Sequence, residues 1–316
     1  MHEAYLLCGV RTPIGKFLGQ LSGFSAPDLG ARCIHESLIR SGLDPSDVDE
    51  VILGNVLSTG VGQAPARQAA LKTGLADTVA ALTINKVCGS GLKAVMLASQ
   101  AIRLGDAKFI VAGGMESMSN APHLVHGIRT GKKFGNLSLE DVLLKDGLEC
   151  AFGHCHMGIY AETIARRHNI SREDQDRYAE ESQRRAGIAM KEGRFDAEIV
   201  PVTLQPLRSE TIVSQDEGPR PETTFDQLAR LKPAFQSDGS VTAGNASMIS
   251  DGAASIIVCD VESAQQSKAP GKAKIIAAHT SGTAPEDVFF ASVGAIRGVL
   301  EKAGLSVEDI DLFEIN

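Results

Sequence analysis

Thr83-Ile84-Asn85-Lys86-Val87-Cys88-Gly89-Ser90-Gly91 is the stretch on which the reading of this chain turns. Before it runs an apolar segment, Val79 to Ile84, of strand length. After it, Leu92, Val95, Met96, Ala98 and Ile102 recur at helical spacing, and Gly105 is a natural stop. Cys88 therefore falls at a strand-to-helix turn, at or just before the helix N-terminus. The glycines beyond it let the backbone turn sharply and let another molecule come close. A thiol there feels the positive end of the helix dipole and unpaired backbone N–H groups. Both favour the thiolate, the reactive form of cysteine, and the same N–H groups could hold an oxyanion on a thioester carbonyl. A small buried cysteine at a tight turn fits the local pattern equally well.

Upstream, Ala4 to Val10 reads as a buried strand and Arg11–Lys16 as a turn. Ser25-Ala26-Pro27-Asp28 opens a helix that runs to about Ser41 and stops at Gly42. Val51–Val56 is a second strand and Ala64–Thr73 a further helix. Downstream of the Cys88 helix, Phe109–Ala112 is again a strand. Strands alternating with helices of this length mean an α/β layered fold.

The same unit returns late in the chain. Residues 30–53 read GARCIHESLIRSGLDPSDVDEVIL and residues 292–315 read SVGAIRGVLEKAGLSVEDIDLFEI. At one constant offset the pairs Ile34/Ile296, Leu38/Leu300, Gly42/Gly304, Leu43/Leu305, Asp47/Asp309 and Asp49/Asp311 coincide. Each copy reads as a helix, a Gly-Leu break, a short acidic turn and a strand, and Ala273–Ala278 matches Ala4–Val10 as the strand upstream. A duplicated α/β unit follows. The first copy is expected over 1–118. The second begins near 270 and is less than halfway through at Asn316. An inserted loop domain is expected over 119–250, and the end of the first unit plus the incomplete second copy over 251–316.

The inserted segment carries irregular stretches such as His123–Gly135 and a polar helix that Ser171 and Asp174 cap and Gly193 ends. Two runs in it look functional. Gly153-His154-Cys155-His156-Met157-Gly158, with Cys150 nearby, invites a zinc reading, but the spacing fits no common zinc pattern and no metal is expected. Thr242-Ala243-Gly244-Asn245-Ala246-Ser247, followed by Ser250-Asp251-Gly252-Ala253-Ala254, is either a core turn or a place where a flexible ligand lies against backbone.

Composition narrows the class. With 316 residues, 43% apolar and 22% charged, the chain suits a globular protein with a sizeable core. A net charge of −8 argues against a general nucleic-acid binder. The cysteines at 8, 33, 88, 150, 155 and 259 form no CxxC pair, which suggests reduced thiols in a cytoplasmic compartment. No signal-peptide pattern and no membrane-length apolar run is seen.

Several of these motifs together resemble one family. Asn85–Ala94 looks like the nucleophile segment of the thiolases. Gly113–Ser119, His156–Gly158, Leu231–Phe235 and Thr242–Ser247 match the same family in the same order, and Glu314-Ile315-Asn316 resembles the start of its Asn-Glu-Ala-Phe motif. The resemblance covers the whole chain and makes Cys88 the expected nucleophile. It implies a thiolase-like fold of duplicated α/β layers with an inserted loop domain.

The resemblance also implies chemistry: acyl transfer between coenzyme A thioesters through an acetyl-Cys88 intermediate, condensing two acetyl-CoA to acetoacetyl-CoA, reversibly. Coenzyme A thioesters are then substrates, with no cofactor and no nucleic-acid or membrane partner, in a homo-oligomer, a dimer or tetramer. Asn316 would hold a water of an oxyanion hole. Leu148, His156, Met157 and Phe235 would line the pantetheine tunnel, with Ala243 and Ser247 along the arm and Arg220 near the adenine and phosphates. A lone surface Arg220 is an equally simple reading. Two departures stand out. The family's Gly-His-Pro histidine and Cys-x-Gly-Gly-Gly cysteine match no segment of residues 1–316, so this polypeptide alone is expected to be a truncated, inactive form. The Gly282–Val288 loop resembles the acetoacetyl-CoA branch. A degradative 3-ketoacyl-CoA thiolase of fatty-acid metabolism and a non-catalytic CoA-binding fragment are the alternatives.

Overall fold

The computed structural model describes residues 2–204 and 211–316. Its contacts divide the chain into two compact units. One comprises Met1–Gly147, Phe195–Gly218 and Ile249–Ile275, the other Leu148–Arg194, Pro219–Met248 and Ile276–Asn316.

The first unit is built on one mixed sheet. Its strands are β1 (Ala4–Arg11), β2 (Gly15–Lys16), β3 (Glu50–Gly54), β4 (Ala80–Ile84), β5 (Phe109–Ser117), β6 (Ser250–Asp260) and β7 (Lys272–Lys274). The order is β7-β1-β6-β5-β3-β4, with β2 against β6. β3 runs parallel to both β4 and β5, while β6 is antiparallel to β1 and β5. Helices α1 (Ala26–Ser41), α2 (Pro65–Thr73) and α3 (Ser90–Leu104) connect and cover these strands.

Side chains leave a strand on alternate faces, and here both faces are buried. Val51 and Leu53 of β3 and Val111 and Met115 of β5 join α1 and α2 residues in one apolar cluster. Ile52, Ile110 and Ala112 point the other way and meet Ala94, Ala98 and Ile102 of α3. That is why these strands read as continuous apolar runs. Helix α1 starts as its sequence predicts. Ser25 Oγ accepts the Asp28 N–H, and the Asp28 carboxylate accepts the Ser25 N–H. It ends at Gly42 with φ +68°, where a side chain would be strained.

Three sequence expectations change. The run Ser250–Ala254 is not a turn but the start of β6, an eleven-residue strand between β1 and β5. Its partners lie more than a hundred positions away, so no local pattern reveals them. The strand expected over Ala273–Ala278 is reduced to Lys272–Lys274, paired with Leu7–Tyr5 of β1. The strand expected after Asp309 is absent, and Leu312–Asn316 is exposed and unpaired. A segment becomes a strand only when a neighbour takes its hydrogen bonds. β3 has β4 and β5 on its two sides, whereas Leu312–Asn316 has none among the described residues.

Up to that point the repeat is visible in detail. The helix Ala291–Ala303 ends at Gly304 with φ +69°, the Leu305 N–H returns to the Leu300 carbonyl, and a 3₁₀ turn follows over Val307–Asp309. The first copy has Gly42, a Leu43-to-Leu38 bond and a 3₁₀ turn over Pro45–Asp47.

The second unit contains α4 (Met157–Arg167) and α5 (Arg172–Lys191). Ser171 and Asp174 form the expected capping box, and Gly193, with φ +66°, lies two residues beyond the last helical residue. Against α4 packs the 3₁₀ segment Pro285–Phe290, tied by an Arg167–Asp287 ion pair and by the His168 and Phe290 rings stacked 4.6 Å apart.

Candidate active site

Cys88 lies where the sequence puts it, one residue before the Gly89 cap of α3, and its side chain is exposed. The buried-turn reading of this thiol is thereby removed. The residue before it, Val87, has φ +49°. A β-branched residue in that region is a real outlier, held at a cost of about 1–3 kcal/mol when the surroundings over-determine it. The surroundings here do so. Asn85 Oδ1 accepts the Val87 N–H at 2.9 Å, Ser90 Oγ donates to the Val87 carbonyl at 2.6 Å, and the Lys86 N–H donates to Ser90 Oγ at 2.8 Å. In the first turn of α3 the Ser90 N–H goes to Val87 O and the Lys93 N–H to Gly89 O. The Gly91 and Leu92 N–H groups remain open among the described residues. Lys86 has no ion-pair partner among those residues, and its ammonium would be 3.9 Å from a Cβ built on Gly89. Open N–H groups, a helix N-terminus and a cation suit an anionic sulfur or oxygen.

The elbow is seated by glycines that the sequence does not explain alone. A Cβ on Gly54, the last residue of β3, would lie 2.5 Å from Ser90 Cβ and 3.0 Å from Gly91 N. A Cβ on Gly114 would lie 3.5 Å from Gly91 Cα. Glycine at these sheet positions lets the start of α3 settle onto the strands. Glu116, at the far end of the same Gly113–Ser119 motif, holds the neighbouring loop. Its carboxylate accepts from Val56 N–H at 2.8 Å, Leu57 N–H at 3.2 Å and Asn55 Nδ2 at 2.7 Å. Burial pushes this carboxyl above the usual range, against the pull of those donors. The Val56 carbonyl in turn accepts Asn85 Nδ2 at 3.4 Å, so the support of the elbow runs back to Glu116.

The second unit brings together three of the expected residues. His156 caps α4 by accepting the Gly158 N–H on Nδ1 at 3.0 Å. Burial holds its pKa below the usual value, against the opposing charge of Glu149. Because Nδ1 accepts that N–H, the neutral ring, which burial favours, carries its proton on Nε2. Phe235 stacks on it at 4.6 Å, and Met157, half-buried, follows it in the chain. Gly158 has no room for a Cβ beside the Phe235 ring.

Ala243 and Ser247 are exposed on the turn after the buried Thr242. That turn is fixed by Asn245, whose Oδ1 accepts the Thr242 N–H at 2.7 Å and whose Nδ2 donates to Asp176 Oδ1 at 2.9 Å and Ser240 O at 3.1 Å. Asp176 is 1% exposed and also pairs with Arg172. Glu162, likewise 1% exposed, accepts the Ser240 and Val241 N–H groups and the Ser240 hydroxyl. The sequence reading missed these two acids. The available signal was a carboxylate on a buried helical stripe, Glu162 between Gly158 and Ala165.

Leu148, half-buried, closes the π-helical segment Leu143–Leu148. Arg220 is exposed without an ion pair among the described residues, its N–H bound by the Gln183 side chain at 2.6 Å. Asn316 is exposed. No group of three or more His, Cys, Asp or Glu side chains that could hold a metal ion occurs among the described residues.

The family profile described as "Thiolase, N-terminal domain" matches residues 5–262. An acetyl-CoA acetyltransferase of Pseudomonas aeruginosa is 48% identical over 317 residues, covering 100% of this chain and 81% of that protein. A probable acetyl-CoA acyltransferase of Staphylococcus epidermidis is 48% identical over 315 residues, covering 99% of this chain and 79% of that protein. Among solved structures, the acetyl-CoA acetyltransferase of Bacillus anthracis fits with a TM-score of 0.97 at 39% identity, over 100% of this chain and 80% of that one. Human mitochondrial 3-ketoacyl-CoA thiolase fits with a TM-score of 0.94 at 37% identity, over 98% and 79%. A profile match that spans the Cys88 elbow and its supporting glycines, joined to fits of this closeness, means that the chain belongs to the thiolase family.

Proposed function

We propose that this chain condenses two acetyl-CoA to acetoacetyl-CoA and CoA, and runs the reverse thiolysis, through acetyl-Cys88. The observation that carries the reading is the exposed Cys88 thiol on a left-handed Val87 elbow at a helix start with open N–H groups. The Cys88 thiolate attacks the acetyl-CoA carbonyl, the bond from carbonyl carbon to coenzyme sulfur breaks, and CoA leaves with a proton. Backbone N–H groups near the elbow suit the oxyanion of that step. A second acetyl-CoA then loses a Cα proton, its carbon attacks the acetyl group, and the Cys88 sulfur is released.

In this reading residues 1–118 bring the nucleophile and 119–250 the coenzyme-binding residues. The neutral His156, Met157, Phe235 and Leu148 border the pantetheine, Ala243 and Ser247 run along its arm, and Arg220 meets the nucleotide phosphates. Asn316 orients a water at the thioester oxygen. The reaction also needs one base that activates Cys88 and one that takes the Cα proton. No helix among the described residues is long and apolar enough to cross a membrane. A cytoplasmic homo-oligomer fits the reading.

The test is mass spectrometry after mixing the chain with acetyl-CoA. An acetyl group on the Val87–Lys93 tryptic peptide, absent from Cys88→Ala, is expected. Acetylation elsewhere, or equal labelling of the variant, overturns the assignment. The fit to a 3-ketoacyl-CoA thiolase favours a second, degradative reading. In a protein that completes the reaction, a higher kcat/KM for a long 3-ketoacyl-CoA than for acetoacetyl-CoA would select it.

A further inference from the structure

Two cysteines outside the Cys88 elbow face each other across a tight loop. Glu149 and His156 form an antiparallel bridge, and the Cys150 N–H donates to the Cys155 carbonyl at 2.9 Å. Cys150 and Cys155 are therefore opposite one another, one position inside that bridge. Opposed residues beside such a hydrogen bond have Cα atoms about 5.5 Å apart, inside the roughly 4.4–6.8 Å span of disulfides. Gly153 lies between them in the chain, and the Tyr160 hydroxyl would be 2.1 Å from a Cβ built there. The Gly153 N–H donates to Cys150 Sγ at 3.3 Å, and a Cβ on Gly153 would be 3.4 Å from Cys155 Sγ. Both thiols are free and only half-buried, so a small oxidant can reach them.

We propose that Cys150 and Cys155 are a redox modification site, closing on exposure to hydrogen peroxide into a disulfide across the Ala151–His154 loop. The Gly153 N–H, the Tyr160 hydroxyl and the Phe152 N–H hold the Cys150 thiol below its ordinary pKa, against the Glu286 charge. Cys150 is thus the attacking sulfur. Its thiolate takes one peroxide oxygen, the O–O bond breaks, and the departing hydroxide takes a proton to become water. Cys155 sulfur then attacks the resulting sulfenic acid, the S–S bond forms, the S–O bond breaks, and a second water leaves. Two thiols lose two electrons and the peroxide gains them. The disulfide would lie next to the Glu149–His156 pair, so oxidation ties down the segment that leads into α4.

The test uses the whole chain carrying Cys88→Ser, which removes the exposed competing thiol. After hydrogen peroxide, free thiols are alkylated and the chain is cut with trypsin. Cys150 and Cys155 share the single peptide Asp146–Arg166. The expected product is that peptide unalkylated and lighter by two hydrogens than its reduced form, reverting with dithiothreitol to a doubly alkylated one. In Cys155→Ser, dimedone should trap a sulfenic acid on Cys150. Recovery of both thiols alkylated after peroxide, Cys150 joined to a different cysteine, or no dimedone adduct in the variant would each overturn the proposal.

Discussion

Gly54→Ala probes how the sheet sets the nucleophile. Gly54 is a buried strand residue whose φ lies outside the left-handed range, so alanine fits its backbone. Left to chain entropy alone, the change would stabilise by about 0.4–1 kcal/mol. The new methyl group, however, would lie 2.5 Å from Ser90 Cβ and 2.9 Å from the Ser90 carbonyl carbon. Carbon atoms settle about 3.5–4.0 Å apart, so the start of α3 must retreat by about 1 Å. Both partners belong to the elbow and the first helical turn, which cannot swing aside as a flexible side-chain tip can. Overpacking of this kind costs about 1–3 kcal/mol. A folding unit of this size should melt lower by about 2–4 °C per kcal/mol. The acetylation rate should fall more sharply, because a shift of about 1 Å in a reacting group costs on the order of 100-fold. The assay is single-turnover acetylation of Cys88 beside alkylation by iodoacetamide, with a thermal scan. Alkylation of the exposed thiol should survive while acetylation drops. Gly23→Ala, with nothing within 4 Å of its Cβ, is the neutral control. Wild-type acetylation and an unchanged melting temperature in Gly54→Ala would refute the seating role.

Asn245→Ala should raise KM for acetyl-CoA while leaving acetylation at saturation nearly intact. It frees the Thr242–Ser247 turn and strips Asp176 of a donor, at about 1–3 kcal/mol per buried group left unpaired; an unchanged KM would separate that turn from coenzyme binding. Burial pushes the Cys33 and Cys259 thiols up to about 12 from an ordinary value of 9.0. Between those pH values the unfolded chain has lost these protons and the folded chain keeps them. Their stabilisation, complete below pH 9, therefore declines as pH rises toward 12, by at most about 1.4 kcal/mol per pH unit per thiol. Urea midpoints at pH 8 and 10.5 should diverge less in a Cys33→Ala/Cys259→Ala chain than in the wild type, and equal divergence would refute the assignment.

Local features were legible in the sequence because they are decided within a few residues. Ser25 with Asp28 and Ser171 with Asp174 close their capping boxes wherever the helices end up, and Gly42 and Gly304 end theirs by adopting a conformation that glycine tolerates. The Cys88 turn was readable for the same reason, as an apolar strand, a short glycine-bearing link and a helical pattern in direct succession. The repeat was readable because the second copy keeps both spacing and cap, down to the Leu43 and Leu305 bonds. Its final strand was not, because a strand depends on neighbours that the repeat does not itself specify.

What the chain fixes by itself is therefore the alternation of strands and helices, a cysteine at a helix start and the family motifs, while the exposure of that cysteine is a finding of the structure. Only the tertiary structure decides that Ser250–Asp260 enters the sheet between β1 and β5, since its register with residues 109–117 joins segments far apart in the chain. The same holds for Gly54 and Gly114, which read as ordinary small residues until α3 is laid on them, and for Glu162 and Asp176, whose burial follows from loops that fold back over their helices. Periodicity and capping are short-range physics and can be read along a line. Close approach and the burial of a paired charge are properties of what arrives from elsewhere, and they exist only once the chain has closed on itself.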